Sequence, residues 1–491
     1  MGAGVSGLTV ANLLVKQGFD VEIFESADKC GGKMFQYKNA EGICWDTGPT
    51  LISLPQELNK LFLDLNISEI ELLKLHTGSH LNFSDGTNWE LPFGLNNIKK
   101  YLANSNEKLS QDVFNALEIS SSIYEFAEKN IFYNDPPNAI SLGLKSFASG
   151  LMLKYPKLTL TPYRKVIDSL ISDKNMREFF YHFASYVGMN PNEAQGGILS
   201  IAHVELVSPI VFPKGGVYQI ASALERVAIE NKVNLHLNSP VISAALKDEK
   251  NPSEGWKLSY KKDNSIHHAN FDIVISNSDP FTASFSWLSN TDISKNYVEK
   301  INKNIYRPSE SQFVILFDLY DDIELLHHVK IFPESWLESF VQVCESYQLP
   351  KDPCIYLVWP HATDKSISPR VLFISAMAPN NLSGINWSHD FCLQYAERIL
   401  ELCRKRLKHA FKGKIFKMIS PQELEGRANS FKGGIYSACL RKFNPLAFHD
   451  SGITKYRNLY FVGAGIHPGA GVTMVIKSAK RISQHISKNF K

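Results

Sequence analysis

Three features that often reveal a protein's environment are missing from this sequence. Its 491 residues include seven cysteines but no CxxC pair, so we predict neither a disulfide framework nor a zinc ribbon. No window of about 20 residues is apolar throughout, so no membrane-spanning helix is predicted. The chain does not open with a basic stretch followed by an apolar segment and a cleavage site. We therefore expect a cytoplasmic protein whose contact with a membrane is peripheral.

The sequence also has little excess charge of either sign. Its 52 lysines and arginines nearly balance 49 aspartates and glutamates, which leaves a net charge of +3. So small an excess does not indicate a nucleic-acid partner, and the absence of an HExxH motif argues against a metal site. Hydrophobic residues (44%) and charged residues (21%) occur at the frequencies of folded soluble proteins. The length predicts more than one packing unit.

A glycine-rich turn stands at the start of the chain. Gly2, Gly4 and Gly7 form a G-x-G-x-x-G pattern that leads into an apolar helical stripe. Glycines at this spacing allow a tight turn and the close approach of a pyrophosphate to a helix N-terminus. Residues 21–24 then form a predicted buried strand followed by Glu25, whose carboxylate can accept both hydroxyls of an adenosine ribose. The pattern predicts a Rossmann-like dinucleotide-binding domain.

One part of that domain is not present in the sequence. The central strand of a Rossmann-like sheet normally precedes the glycine loop, whereas here Met1 stands directly before Gly2. We therefore expect either a natural chain that begins further upstream or a fold that lacks its first strand.

A second glycine-rich loop lies near the other end of the chain. Residues 459–462 form an apolar strand, residues 463–471 form the loop, and an amphipathic helix begins at Val472. The positive end of that helix dipole would favour the negative charge of a reduced flavin. Two such sites far apart in the sequence fit FAD better than NAD. We expect Gly465, Gly471 and Val472 to contact the cofactor.

Further short segments lie at both ends and in the centre of the chain: KCGGK (29–33), WDTGPT (45–50), FPKGG (212–216), NSPV (238–241), DIVISNSDP (272–280) and NLYFVGAGIHPGAGV (458–472). In composition, order and spacing they resemble the phytoene desaturase-like and bacterial carotenoid desaturase family of FAD-dependent oxidoreductases, within the amine oxidase-like superfamily. The resemblance implies that Gly32, Lys33, Gly48, Pro49 and Val241 also contact FAD.

The motifs divide the chain into three predicted parts of an α/β fold of the glutathione reductase type. Residues 1–75, 205–285 and 440–491 form a discontinuous FAD-binding domain, and residues 76–204 form a mainly helical lid or membrane-contact insertion. Residues 286–439 form an α+β substrate domain with an antiparallel sheet. Helices are predicted at 113–128, 175–186 and 391–411, and strands at 312–319, 354–359 and 371–376.

One segment of the lid has the composition of an interfacial helix. Its apolar and basic residues are Leu142, Leu144, Lys145, Phe147, Leu151, Met152, Leu153, Lys154 and Lys157. We expect residues 142–153 to form an apolar lip that contacts a membrane, with ordinary core packing as the alternative.

The resemblance implies FAD-dependent desaturation of a long hydrophobic polyene, an acyclic carotenoid such as phytoene or a neurosporene derivative. No acid–base pair stands out, and His467 is the one polar candidate for catalysis, with a structural role as its alternative. A polyene isomerase that uses reduced FAD would share these motifs. An amine oxidase would need aromatic residues flanking the flavin, and the sequence alone places no such pair. A non-catalytic or truncated flavin-fold protein is the third alternative.

Overall fold

The computed structural model describes residues 1–75, 77–155, 158, 160–289, 291–321, 323–408, 411–441, 448–456 and 458–490. Lys157 of the predicted interfacial segment, residues 409 and 410 of a predicted helix, and residues 442–447 and 457 of the predicted FAD-binding domain lie outside the described residues.

The α-helices, in chain order, are α1 (Val5–Lys16), α2 (Pro55–Leu65), α3 (Leu95–Ala103), α4 (Glu107–Ala127), α5 (Ala139–Ala148), α6 (Leu151–Lys154), α7 (Tyr163–Leu170), α8 (Lys174–Tyr181), α9 (Ser200–Ala202), α10 (Tyr218–Glu230), α11 (Pro280–Phe285), α12 (Asp292–Asn302), α13 (Trp336–Cys344), α14 (His389–Leu407), α15 (Pro421–Ala428) and α16 (Val472–Phe490).

The strands, in chain order, are β1 (Glu22–Phe24), β2 (Phe35–Lys38), β3 (Cys44–Thr47), β4 (Ile52–Ser53), β5 (Leu72–Lys74), β6 (Ser79–Asn82), β7 (Asn88–Leu91), β8 (Ile210–Pro213), β9 (Asn234–His236), β10 (Val241–Leu246), β11 (Trp256–Lys262), β12 (Ser265–Phe271), β13 (Val274–Ser276), β14 (Tyr306–Pro308), β15 (Ser311–Leu319), β16 (His328–Ile331), β17 (Ile355–Val358), β18 (Val371–Ala378), β19 (Gly413–Ile419), β20 (Ala438–Leu440) and β21 (Leu459–Phe461).

Two parallel strand pairs organise the nucleotide-binding part of the fold. Strand β1 pairs with β9, and β13 pairs with β21. Residues 1–3 lie between the two pairs, because the backbone N–H of Gly2 donates to Phe24 O (2.7 Å) and that of Asn277 donates to Met1 O (2.8 Å). Helix α1 follows directly and packs against α10 and α16. The first glycine loop therefore lies between the carboxyl ends of β1 and β13, and the second loop follows the carboxyl end of β21. Parallel α/β sheets bind their ligands at these strand ends.

A seven-stranded sheet in the order β19-β15-β18-β17-β16-β6-β7 forms the second half of the molecule. All of its pairings are antiparallel except that of β16 with β6. Because side chains alternate along a strand, Phe313, Ile315 and Ile374 point to one face and pack against α14. The opposite face carries Lys330, Tyr356 and other residues that border a large cavity.

Most of the predicted elements are confirmed. The strands predicted at 312–319, 354–359 and 371–376 correspond to β15, β17 and β18, and the helix predicted at 391–411 corresponds to α14. The helix predicted at 113–128 lies within α4 and its continuation. The helix predicted at 175–186 is divided, because α8 is followed by a 3₁₀ segment, His182–Val187, which ends at Gly188 with φ 66°.

The edge of the sheet contains strands from the region that the sequence assigns to the lid. β6 and β7 lie within residues 76–204, and β6 pairs with β16, which lies within residues 286–439 of the predicted substrate domain, through His80 and Val329. Hydrophobic periodicity within a short window of sequence does not predict such a pairing, because it joins residues about 250 positions apart in the chain. The boundaries of the three predicted domains stay predictions.

Candidate active site

A cavity of about 1050 Å³ lies between the nucleotide-binding elements, the seven-stranded sheet and the helical region. Its lining includes twelve of the thirteen sequence-predicted site residues: Gly2, Gly4, Glu25, Gly32, Lys33, Gly48, Pro49, Val241, Gly465, His467, Gly471 and Val472. Gly7 lies behind the loop, at the first turn of α1. The fold thus brings residues from five segments of the chain to one space. Their contact with a cofactor remains a prediction.

The first glycine loop leaves no room for side chains. A Cβ atom on Gly4 would lie 2.6 Å from Asn277 Oδ1, and one on Gly7 would lie 2.1 Å from Gly2 O. Asn277 itself joins the two glycine loops, since its Nδ2 donates to Ser6 Oγ (2.6 Å) and to the carbonyl that precedes Gly463 (3.3 Å). The N-terminus of α1 therefore faces the cavity with bare backbone, which is the arrangement that accepts a pyrophosphate.

The Glu25 carboxylate is fixed before any ligand binds. Its Oε2 accepts from the Ala3 N–H (2.6 Å), and its Oε1 accepts from the Ala27 N–H (2.9 Å). Oε1 also accepts from Ser26 Oγ (3.2 Å). An ionised carboxylate offers about four acceptor positions, so about one remains for a ribose hydroxyl. The side chain is buried beside β1 and borders the cavity.

Two cations, Lys33 and Arg427, lie where the first loop meets residues 427–435 of the predicted substrate domain. Lys33 Nζ donates to Ile435 O (2.7 Å), and burial lowers the pKa of Lys33 to about 8 against the opposing effect of Asp279. Arg427, which the sequence did not single out, donates to Gly32 O (3.1 Å) and stacks over Phe35 at 4.6 Å. Among the described residues, its buried Nε has no hydrogen-bond partner.

The second loop approaches the same space from the other side. A Cβ atom on Gly465 would lie 2.7 Å from Ser437 Oγ and 2.8 Å from Pro280 Cδ, so only glycine fits there. Helix α16 begins immediately afterwards, at Val472, and both its first residue and Gly471 border the cavity. A second helix N-terminus therefore points its dipole at this part of the site.

His467, which the sequence analysis names as the catalytic candidate, is fixed by hydrogen bonds from both its backbone and its ring. Its backbone N–H donates to Asp450 O (3.0 Å), and its ring Nε2 donates to Ile131 O (3.1 Å). Burial lowers the pKa of His467 to about 4, so the ring is neutral at pH 7. It connects the second loop to the end of the α4 region, and a catalytic role for it stays a prediction.

These residues fit FAD. The first loop suits a pyrophosphate, and Glu25 suits the adenosine ribose. Lys33 and Arg427 supply positive charge, and Arg427 Nε has no partner among the described residues. The N-terminus of α16 suits the pyrimidine end of a flavin, which becomes negative on reduction.

The remainder of the cavity extends between the sheet and the helices, with a largely apolar helical wall. Its apolar lining includes Ile123, Phe126, Leu142, Leu151, Leu158 and Ile198. Tyr356 of β17 and Tyr436, which lies in the turn before β20, also line it, and burial raises the pKa of both hydroxyls. No such aromatic pair was predicted, because the sequence pattern does not show whether a tyrosine on a strand or in a turn faces a cavity or the solvent.

The fold and the two loops define an FAD-dependent oxidoreductase. Residues 5–487 match the family of flavin containing amine oxidoreductases, and the chain belongs to that family. The phytoene desaturase of Fusarium fujikuroi is 26% identical, with 100% of this chain and 89% of that protein aligned. The 1-hydroxycarotenoid 3,4-desaturase of Flavobacterium sp. is 25% identical, with 98% of this chain and 96% of that protein aligned.

Solved structures share the fold at low identity. Putrescine oxidase bound to putrescine has a TM-score of 0.65 at 14% identity and covers 99% of this chain and 97% of its own. An oxidoreductase from Methanosarcina mazei has a TM-score of 0.64 at 16% identity, with 98% of both chains covered. Within the described parts of the chain, no helix has both the length and the apolarity needed to cross a bilayer.

Proposed function

We propose that this protein desaturates a long acyclic polyene of the carotenoid type, with FAD as the oxidant. The observation that carries this proposal is the continuity of the cavity, which runs from the two glycine loops to an apolar helical wall at Leu142 and Leu151. A hydrocarbon chain gains about 0.8 kcal/mol for each methylene that such walls remove from water. Carotenoid-converting relatives that align over nearly the whole chain support the same substrate class.

Desaturation removes a hydride and a proton from adjacent carbons and leaves a new C=C bond. FAD, when bound, supplies a two-electron oxidant that accepts the hydride. The chain must orient the polyene, exclude water and accept the proton. The apolar walls perform the first two tasks, which leaves a proton acceptor to be found among the polar groups that border the cavity.

Glu310 is the carboxylate best suited to accept that proton. It is buried and borders the cavity, and among the described residues its Oε2 has no hydrogen-bond partner. Its backbone carbonyl accepts from Ile435 N–H (3.0 Å), and Ile435 O in turn accepts from Lys33, so Glu310 lies near the predicted flavin contacts. Burial raises its pKa to about 8.

Replacing Glu310 by glutamine is expected to slow turnover by about 100-fold, the lower range for general-base catalysis. A base must be ionised, and the pKa of Glu310 is raised, so wild-type turnover of bound substrate should increase as the pH rises through about 8. The variant should lack this increase. Single-turnover rates from pH 6 to 9, at matched flavin occupancy, test the assignment, and an unchanged rate and pH profile would exclude it.

The overall function is tested by mixing flavin-loaded protein with an acyclic polyene under anaerobic conditions. We expect the flavin absorbance near 450 nm to bleach and the product to contain two hydrogens fewer. Geometric isomerisation by the reduced protein without loss of hydrogen would favour the isomerase alternative. Bleaching by putrescine but not by polyenes would favour an amine oxidase, for which Tyr356 and Tyr436 are two of the aromatic residues that line the cavity.

The substrate is expected to reach the cavity from a lipid surface, which makes this a peripheral membrane protein. Helices α5 and α6 present two faces. Leu142 and Leu151 of the predicted lip are buried and border the cavity, whereas other apolar residues are exposed on the outer face. The name apolar lip is used from here on for those exposed residues only: Ile140, Leu144, Phe147, Met152 and Leu153. Because a bilayer stabilises a polyene as well as the cavity does, direct transfer across such a lip avoids water.

A further inference from the structure

A charged pair crosses the cavity between its two walls. Lys330 belongs to β16 of the sheet, and Glu205 belongs to the π-helical segment His203–Val207 of the opposite wall. Their side chains form an ion pair, and both border the cavity. The Tyr186 hydroxyl accepts from Lys330 Nζ at 3.2 Å and also hydrogen-bonds Glu205. These three residues are named the polar bridge.

The polar bridge leaves hydrogen-bonding capacity unused. A lysine ammonium has three N–H donors, yet among the described residues only Glu205 and Tyr186 accept from Lys330. His182 and His328 also line the cavity. In the described part of the chain, the buried atoms His182 Nδ1 and His328 Nε2 have no hydrogen-bond partner. Burial lowers the pKa of both histidines far below its ordinary value, so both rings are neutral.

A purely hydrocarbon substrate would be a poor match for this surface. Covering charged and polar groups with methylenes removes them from water without replacing the lost hydrogen bonds. Leucine or methionine at these positions would accommodate a hydrocarbon better than an ion pair does. A ligand oxygen, by contrast, could accept from the third N–H of Lys330 and donate to the Glu205 carboxylate.

The polar bridge lies close to the flavin end of the cavity. Lys330 is directly opposite Tyr356 in the β16–β17 register, so the two residues are cross-strand neighbours. The Tyr356 hydroxyl contacts Thr50 Oγ1 at 2.9 Å, and Thr50 follows Gly48 and Pro49, two of the predicted FAD contacts. A substrate oxygen at Lys330 would therefore place the adjacent carbons near the oxidant.

We propose that Lys330, Glu205 and Tyr186 bind a hydroxyl group of the polyene, and that the bond oxidised lies within a few carbons of it. The inference rests on the proposed function, and it narrows the substrate to an oxygen-bearing polyene. A neutral hydroxyl is favoured over a carboxylate because the ion pair already balances its own charge and a second anion would face Glu205. The hydroxyl-bearing end of the substrate would enter the cavity first, because the polar bridge lies near the predicted flavin contacts.

The test compares two acyclic polyenes of equal length, one with a hydroxyl at one end and one without, in detergent micelles. For flavin-loaded wild-type protein, we expect the hydroxylated compound to have a kcat/KM at least 100-fold higher and a lower Kd. In the double variant Lys330→Met with Glu205→Leu, which leaves no orphaned charge, the preference should fall below about 5-fold while the hydrocarbon binds as well or better. The new double bond should be adjacent to the hydroxyl-bearing end.

Tyr186→Phe serves as the second variant, because it removes one oxygen and retains the ring. It should reduce the preference for the hydroxylated polyene about 10-fold. If the double variant does not fold, this variant alone tests the hydroxyl site. Equal wild-type kcat/KM for both polyenes, or equal losses for both in the variants, would overturn the inference and indicate a purely structural bridge. If neither polyene bleaches the wild-type flavin, the proposed function itself fails. Oxidation of both without preference contradicts only the hydroxyl site.

Discussion

Replacing Gly7 by alanine is expected to yield a protein that is purified almost without flavin. The added Cβ would lie 2.1 Å from Gly2 O and 3.1 Å from Asn277 Oδ1, and the backbone carbonyl cannot turn away as a flexible side chain could. The first loop must therefore shift by about 1 Å, which misaligns the amides at the N-terminus of α1 with the pyrophosphate. We expect flavin occupancy, measured from the ratio of absorbance at 450 and 280 nm, to fall at least tenfold.

Gly143→Ala is the matched control. Gly143 also lies in a helix, α5, but a Cβ atom there would meet no atom of the described residues within 4 Å. Alanine favours a helix over glycine by about 1 kcal/mol, so this variant should be at least as stable as the wild type and fully loaded with flavin. Normal flavin content in the Gly7 variant would show that the loop does not bind the cofactor in the way its geometry suggests.

Local sequence signals were sufficient for the parts of the fold that depend on neighbouring residues. The alternation in β15 and β18, the stripe in α14 and the two glycine loops each reside within fewer than 20 consecutive residues. Their mutual position could not be inferred from pattern alone. The hydrogen bonds of Asn277 to both loops and of Arg427 to Gly32 join residues separated by 185 to 395 positions.

The polar bridge illustrates a second limit. The sequence around Lys330 alternates apolar and polar residues, as in any strand with one solvated face. Only the packing of the helical wall over that face converts a solvent-facing lysine into a cavity-facing one. The lip shows a related effect, because a stretch of leucines in the sequence does not reveal that Leu151 turns inward while Leu144 turns outward.

Placing charges on the apolar lip is expected to cause a large loss of binding to lipid vesicles. The exposure of each side chain determines which residues to change. Leu144 and Phe147 are 67% and 60% exposed, whereas Leu151 is 9% exposed and borders the cavity. A charge at Leu151 would damage the cavity itself, so the informative variant is Leu144→Asp with Phe147→Asp. Each side chain contributes about 1.5–3 kcal/mol when it leaves water, so binding to vesicles should weaken more than 100-fold.

This double variant is expected to lose both sedimentation with anionic liposomes and turnover of polyene dissolved in them. Flavin occupancy and turnover of polyene in detergent micelles should not change, because among the described residues that border the cavity neither Leu144 nor Phe147 is found. The control is Ile229→Asp with Ile266→Asp, two isoleucines that are each 58% exposed and lie on α10 and β12, outside the lip. It introduces the same charge and should leave liposome binding intact. Equal losses in the two double variants would indicate a general effect of negative charge, and retained liposome binding in the Leu144 and Phe147 variant would mean that the substrate enters elsewhere.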